Sequence, residues 1–149
     1  MRMFTDIFAT VCIGLMIGTE FAMSVFVNPV LWKLKDEAQA EAIPMFARKL
    51  GTAMPFWYVL SLLLLLLEMA LRRHEAGFPL LVAAVAIWAV VIVLTLLFLV
   101  PINNRMMRLE PGSIAEAARR EHHRWDSMHR LRVAALTAAM VCFLLAIQR

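Results

Sequence analysis

Four residues towards the C-terminal end are spaced for concerted chemistry: His122, Trp125, His129 and Arg132, separated by three, four and three positions. On a helix that spacing sets all four along one stripe. A histidine titrates near neutral pH and can act as a general base. An arginine beside it stabilises negative charge as it develops. Far away in sequence, Glu20 interrupts an apolar run at Gly18-Thr19-Glu20-Phe21. An ionisable group in such a run is costly and is a functional candidate: a general base, a proton relay or a metal ligand. The bland alternative is a structural ion pair with Arg132. Asn28, Asn103 and Asn104 add hydrogen-bonding groups for holding a substrate.

His122, His129 and Glu20 are also the candidates for a metal such as copper, iron or zinc, with His123, Asn28 or Asn103 available to complete a shell. The seven-residue separation of His122 and His129 is too long for a close chelating pair. Haem is a weaker fit, because the only histidine outside this region is His74, which falls at the opposite membrane face.

The elements that position these groups follow from composition. Of 149 residues, 62% are hydrophobic and 17% charged, whereas soluble domains average about half and about a quarter. The chain reads as an integral membrane protein. Four segments reach the length of about 20 mostly apolar residues that a spanning helix needs: roughly 4–26, 54–71, 78–100 and 133–147. Lipid leaves backbone N–H and C=O groups without partners, so each must be helical. The expected fold is all-α, a four-transmembrane-helix up-down bundle forming one domain over 1–149. Met1-Arg2 before an apolar run imitates a signal peptide, but the run contains Glu20 and ends at Asn28-Pro29 without a small-residue cleavage site. It reads as a retained first helix.

The connections differ. Residues 72–77 form a tight turn, and residues 32–52 are polar with a helical pattern broken by Pro44 and Gly51. Residues 101–128 make the longest connection. Pro111-Gly112 signals a turn there, and Ser113 precedes Glu116 by the capping-box spacing. No proline or glycine follows Ser113. This predicts one unbroken helix of about 35 residues, about 52 Å long. The hydrocarbon is only about 30 Å thick, so the segment 113–132 must project beyond it, continuous with span four.

Four alternating spans put both termini on one face and the connections 32–52 and 101–128 on the other. Of the 15 basic residues, only Arg2, Arg72, Arg73 and Arg149 lie on the terminal face. By the positive-inside rule the loop face is cytoplasmic and both termini are external, as in a bacterial cytoplasmic membrane. The isoelectric point of about 9.7 then reflects anionic lipid and not nucleic acid. Trp32, Trp57 and Tyr58 read as an aromatic belt, Glu68 with Arg72 as a helix-end ion pair, and Cys12 and Cys142 as apolar thiols. Gly14 and Gly18 permit close helix approach, inside the bundle first and in a homo-oligomer second. The up-down topology brings Asn28-Pro29, Pro101-Ile-Asn-Asn-Arg105 and His129-Arg130-Leu-Arg132 to one depth on the loop face. No glycine-rich phosphate loop, H-E-x-x-H, C-x-x-C or nucleophile elbow is present.

Those residues carry a resemblance. Pro29-Val-Leu, then Pro101-Ile-Asn-Asn-Arg, then Trp125 with His129 and Arg132 resemble the anthrone oxygenase-like membrane family, most of whose bacterial members are described only as a domain of unknown function. The resemblance implies a small membrane oxygenase that turns an anthrone into an anthraquinone with O₂ and needs no cofactor. It implies a hydrophobic, electron-rich, phenol-like substrate that can arrive from the lipid. His129 is the base on that analogy, Arg132 stabilises the anion, and Trp125 and Asn103 place the substrate. Two other classes stay open from the residues: a metal- or haem-binding membrane protein, and a non-enzymatic assembly or transport partner.

Overall fold

Along the first helix Phe4, Phe8, Val11 and Leu15 point outward, each more than half exposed, while Glu20, Ser24 and Asn28 are buried. This inverts the pattern of a water-soluble helix and is what lipid selects: apolar surface outside, polar groups turned to partners within. In this computed structural model residues 2–106 and 116–149 are described, the side chains at 36, 40, 106 and 116–122 excepted. Among them there is no strand, and four helices are long and apolar enough to cross a membrane: Arg2–Leu31, Glu37–Leu71, Phe78–Arg105 and His123–Ile147. The protein is an all-α membrane bundle.

The chain runs α1 (Arg2–Ala22), a π-helical turn (Met23–Val27), α2 (Asn28–Leu31), α3 (Asp36–Leu71), α4 (Phe78–Leu94), a second π turn (Thr95–Leu99), α5 (Val100–Met106) and α6 (Glu116–Ile147). Pro44 and Gly51 do not break the second span. α3 continues for 36 residues through Pro44 and Pro55. A proline removes one N–H and crowds one carbonyl, and a long helix absorbs that local loss while its other backbone bonds hold. α6 has 32 residues, about 48 Å of helix against about 30 Å of hydrocarbon, so it extends past the membrane. The Ser113 cap lies outside the described residues.

α4 and α6 form the most extensive helix pair. Ala84, Ala139 and Ala146 are fully buried, and side chains this small let two backbones come close. Trp88 is buried in the centre, its indole N–H donating to the Tyr58 carbonyl at 3.2 Å. Gly14 and Gly18 do not serve this purpose. A Cβ on Gly14 would meet only Met140 Cε, at 4.0 Å, and one on Gly18 would meet nothing within 4 Å. The expected close approach inside the bundle occurs instead at Gly77, where a Cβ would overlap the Ala146 backbone carbonyl. Gly77→Ala should therefore destabilise the protein by about 1–3 kcal/mol, the scale of an overpacked core, whereas Gly18→Ala should leave the midpoint of denaturant unfolding in detergent unmoved. Cys12 and Cys142 are free thiols.

The terminal face is closed by a charge cluster. Arg72 donates to both Asp6 oxygens at 2.8 and 3.0 Å, to Glu75 at 2.7 Å and to Glu68 at 3.3 Å. Arg2 also pairs with Glu75. The ion pair read between Glu68 and Arg72 is present, and it is one edge of a network joining α1, α3 and the turn before α4.

Candidate functional site

Each π turn ends two residues before a proline, Pro29 or Pro101. Proline has no N–H for the carbonyl four residues back and its ring presses on that carbonyl. A π turn just ahead widens the helix and relieves the clash, and such turns are frequent at functional sites. The first π turn begins three residues after Glu20 and the second begins at Thr95, so the irregular backbone lies where the polar side chains gather.

Glu20 is 3% exposed. One carboxylate oxygen accepts the Tyr58 hydroxyl at 3.1 Å, and the other accepts Arg132 Nη2 at 2.5 Å. Arg132 Nη1 reaches Thr95 Oγ1 at 3.5 Å, and its guanidinium lies 5.6 Å from the centre of the Tyr58 ring. The His129 ring is buried beneath Trp125, stacked nearly parallel with centroids 4.7 Å apart. Its Nδ1 is 2.8 Å from Arg132 Nη2, and its Nε2 is 3.1 Å from the Glu20 backbone carbonyl. A guanidinium can only donate, so Nδ1 accepts and the proton is assigned to Nε2, which donates to the Glu20 carbonyl. In that tautomer two acceptors, Glu20 Oε2 and His129 Nδ1, face each other at 3.2 Å, held by the same Arg132 nitrogen. Each becomes a site for a proton once the Arg132 N–H that it accepts turns away.

These groups form one wall of a cavity of about 510 Å³, within the range of about 300–1,000 Å³ typical of small-molecule sites. Glu20, Asn103, Asn104, Trp125, His129 and Arg132 all line it, as do Tyr58 and Thr95, and its remaining walls include Met23, Met54, Ile92 and Leu99. Gly51 also lines it. A Cβ there would come within 3.2 Å of Asn103 Nδ2, so glycine leaves room for that amide. Asn28 is not part of the lining. It is buried and donates to Asp126 at 3.0 Å, while Arg130 holds the other Asp126 oxygen at 2.9 Å. With the stack of Trp32 on His123, centroids 4.4 Å apart, these contacts pin the first span to α6 beside the site. The His122 side chain lies outside the described residues. Among those that are described, no three His, Cys, Asp or Glu side chains cluster to hold a metal.

Tyr58 and Trp57 correct the aromatic-belt reading. Tyr58 is 6% exposed, in the core, and Trp57 donates to the Cys12 carbonyl at 3.0 Å, so both serve contacts between helices. Tyr58 and Thr95 are the site residues that the sequence reading missed. Thr95 had a signal, being the only hydroxyl in the apolar run 78–100.

A family model described as Anthrone oxygenase matches residues 43–142. That stretch contains Tyr58, Thr95, Asn103, Trp125, His129 and Arg132 but not Glu20. Neither the curated proteins nor the solved structures contain a match.

Proposed function

The chain belongs to the anthrone oxygenase family, and from that premise we propose that it is a membrane oxygenase acting with O₂ on a hydrophobic, electron-rich ring compound of the anthrone or phenol type. The facing pair of acceptors, Glu20 Oε2 and His129 Nδ1 at 3.2 Å, carries the reading, because the first step of such a reaction needs a base inside an apolar cavity.

The substrate's ring system fills the apolar part of the cavity, with Trp125, Asn103 and Asn104 placing it. The Glu20–His129 pair takes a proton from the acidic CH₂ carbon, leaving a carbanion delocalised into the ring oxygen as an enolate. Arg132 stabilises this negative charge. The anion gives one electron to O₂, and the resulting radical and superoxide combine to form a C–O bond. The peroxide takes up a proton. Removal of the second hydrogen from the same carbon, again by the pair, forms C=O as the O–O bond breaks. The departing hydroxide leaves as water. In sum, CH₂ and O₂ become C=O and H₂O, with the substrate as the only reductant. No cofactor is required by this scheme. The 11 basic residues of the loop face against four on the terminal face support a site at the cytoplasmic surface of a bacterial inner membrane, with both termini external.

The test uses purified protein in lipid nanodiscs with anthrone as the probe. O₂ uptake and anthraquinone formation should rise together in a 1:1 ratio, above the spontaneous rate in empty nanodiscs. Rates equal to those of empty nanodiscs would overturn the reading.

A further inference from the structure

Two lining residues of the cavity have a double position. Val59 on α3 and Leu96 in the second π turn line the cavity and are 54% and 60% exposed, whereas Met54 and Leu99 line the same cavity and are only 9% and 5% exposed. Val100, at the start of α5, lines the cavity and is 36% exposed. A side chain between two closed helices would be covered, and one on a sealed outer face would line nothing. Being both means that the cavity wall is parted between α3 and the third span.

The depth of this gap follows from helix geometry. Val59 lies 12 residues before Leu71, about 18 Å up the second span from the terminal face, and Leu96 lies 18 residues after Phe78, about 27 Å up the third. Both heights fall within about 30 Å of hydrocarbon. The gap therefore opens on acyl chains. Its lips are aliphatic, and the polar cavity residues Arg48, Thr52 and Asn104 lie towards the loop-face end. A charged molecule crossing between Val59 and Leu96 would lose its hydration for no partner. A neutral ring system already dissolved in lipid would exchange one apolar surrounding for another at little cost.

We propose that this gap is the port through which a substrate dissolved in the bilayer reaches Glu20 and His129. The proposal rests on the oxygenase reading for the identity of the ligand, and on the parted wall for the route.

Two measurements test it. In nanodiscs holding unmodified protein and a fixed total amount of anthrone, raising the lipid content dilutes anthrone within the bilayer. The rate at subsaturating anthrone should fall in proportion, about twofold for each doubling of lipid. Separately, Val59→Phe and Leu96→Phe, singly and together, should slow association of anthraquinone, followed by quenching of tryptophan fluorescence. The double variant should lose about tenfold, the scale on which association rates vary within one site. Its bound-state quenching should remain. A rate indifferent to lipid content, or a double variant that binds anthraquinone as fast as the parent, would overturn the port. Slowed association in a protein that turns over no anthrone would leave the port standing and remove the oxygenase reading.

Discussion

His129→Gln should lower kcat for anthrone oxidation by about 10²–10⁴-fold, the usual contribution of a positioned general base. It should do so without unfolding the protein. Glutamine is uncharged and close in length. The ion pair between Glu20 and Arg132 does not pass through the imidazole, because Arg132 Nη2 reaches Glu20 Oε2 directly at 2.5 Å. What is lost is Nδ1, one of the two acceptor atoms that lie 3.2 Å apart around Arg132 Nη2. The amide offers a far weaker base in its place. The check is steady-state O₂ uptake in nanodiscs beside an unfolding titration of the same preparation. A variant within threefold of the parent rate would remove His129 from the reaction and leave it as a support beneath Trp125.

Arg132→Leu should produce the largest loss of stability in the chain, about 3–5 kcal/mol, because it strands the Glu20 carboxylate in a buried site without its counter-charge. The two side chains are only 4% and 12% exposed, so water cannot take over the solvation. Removing both charges in Glu20→Leu with Arg132→Leu should recover much of that loss, since a buried ion pair costs nearly as much to desolvate as it returns. Activity should not recover. Denaturant titration in detergent reads the stability, and the double-mutant cycle isolates the coupling between the two sites. If Arg132→Leu alone proved as stable as the parent, the pair would not be the electrostatic centre of the bundle.

The chain's pattern made some of this legible. Four apolar runs announced the spans because lipid admits only helices there. Glu20 announced a partner because a lone carboxylate in hydrocarbon is untenable, and Arg132 was the basic residue at matching depth. The spacing of Trp125, His129 and Arg132 placed them on one helical stripe, and the structure sets all three against one cavity. Three features were opaque. Pro44 and Gly51 looked like helix breakers because local propensity was all the sequence offered there, whereas α3 runs unbroken through both. Tyr58 looked like an interfacial aromatic because it falls towards the loop-face end of the second span. Its hydroxyl contact with Glu20 joins residues 38 positions apart, and no local period encodes that. Asn28 looked like a ligand group because it falls at the right depth. Depth does not fix azimuth, and its amide turns to Asp126 instead. The π turns explain part of this. Each offsets the helical register by a fraction of a turn, so faces extrapolated from a straight helix drift beyond Ala22 and Leu94.

The Arg72 cluster has a mechanical consequence. It ties α1, α3 and the following turn together at the terminal face, and Gly77 seats that same end against Ala146. At the opposite end α3 and the third span are parted by the gap beside Leu96. The bundle is thus riveted at one leaflet and unlatched at the other, like a pair of tongs. Any widening for a guest then falls on the loop-face end of α3, beyond the contacts by which Trp57 and Tyr58 hold it to Cys12 and Glu20.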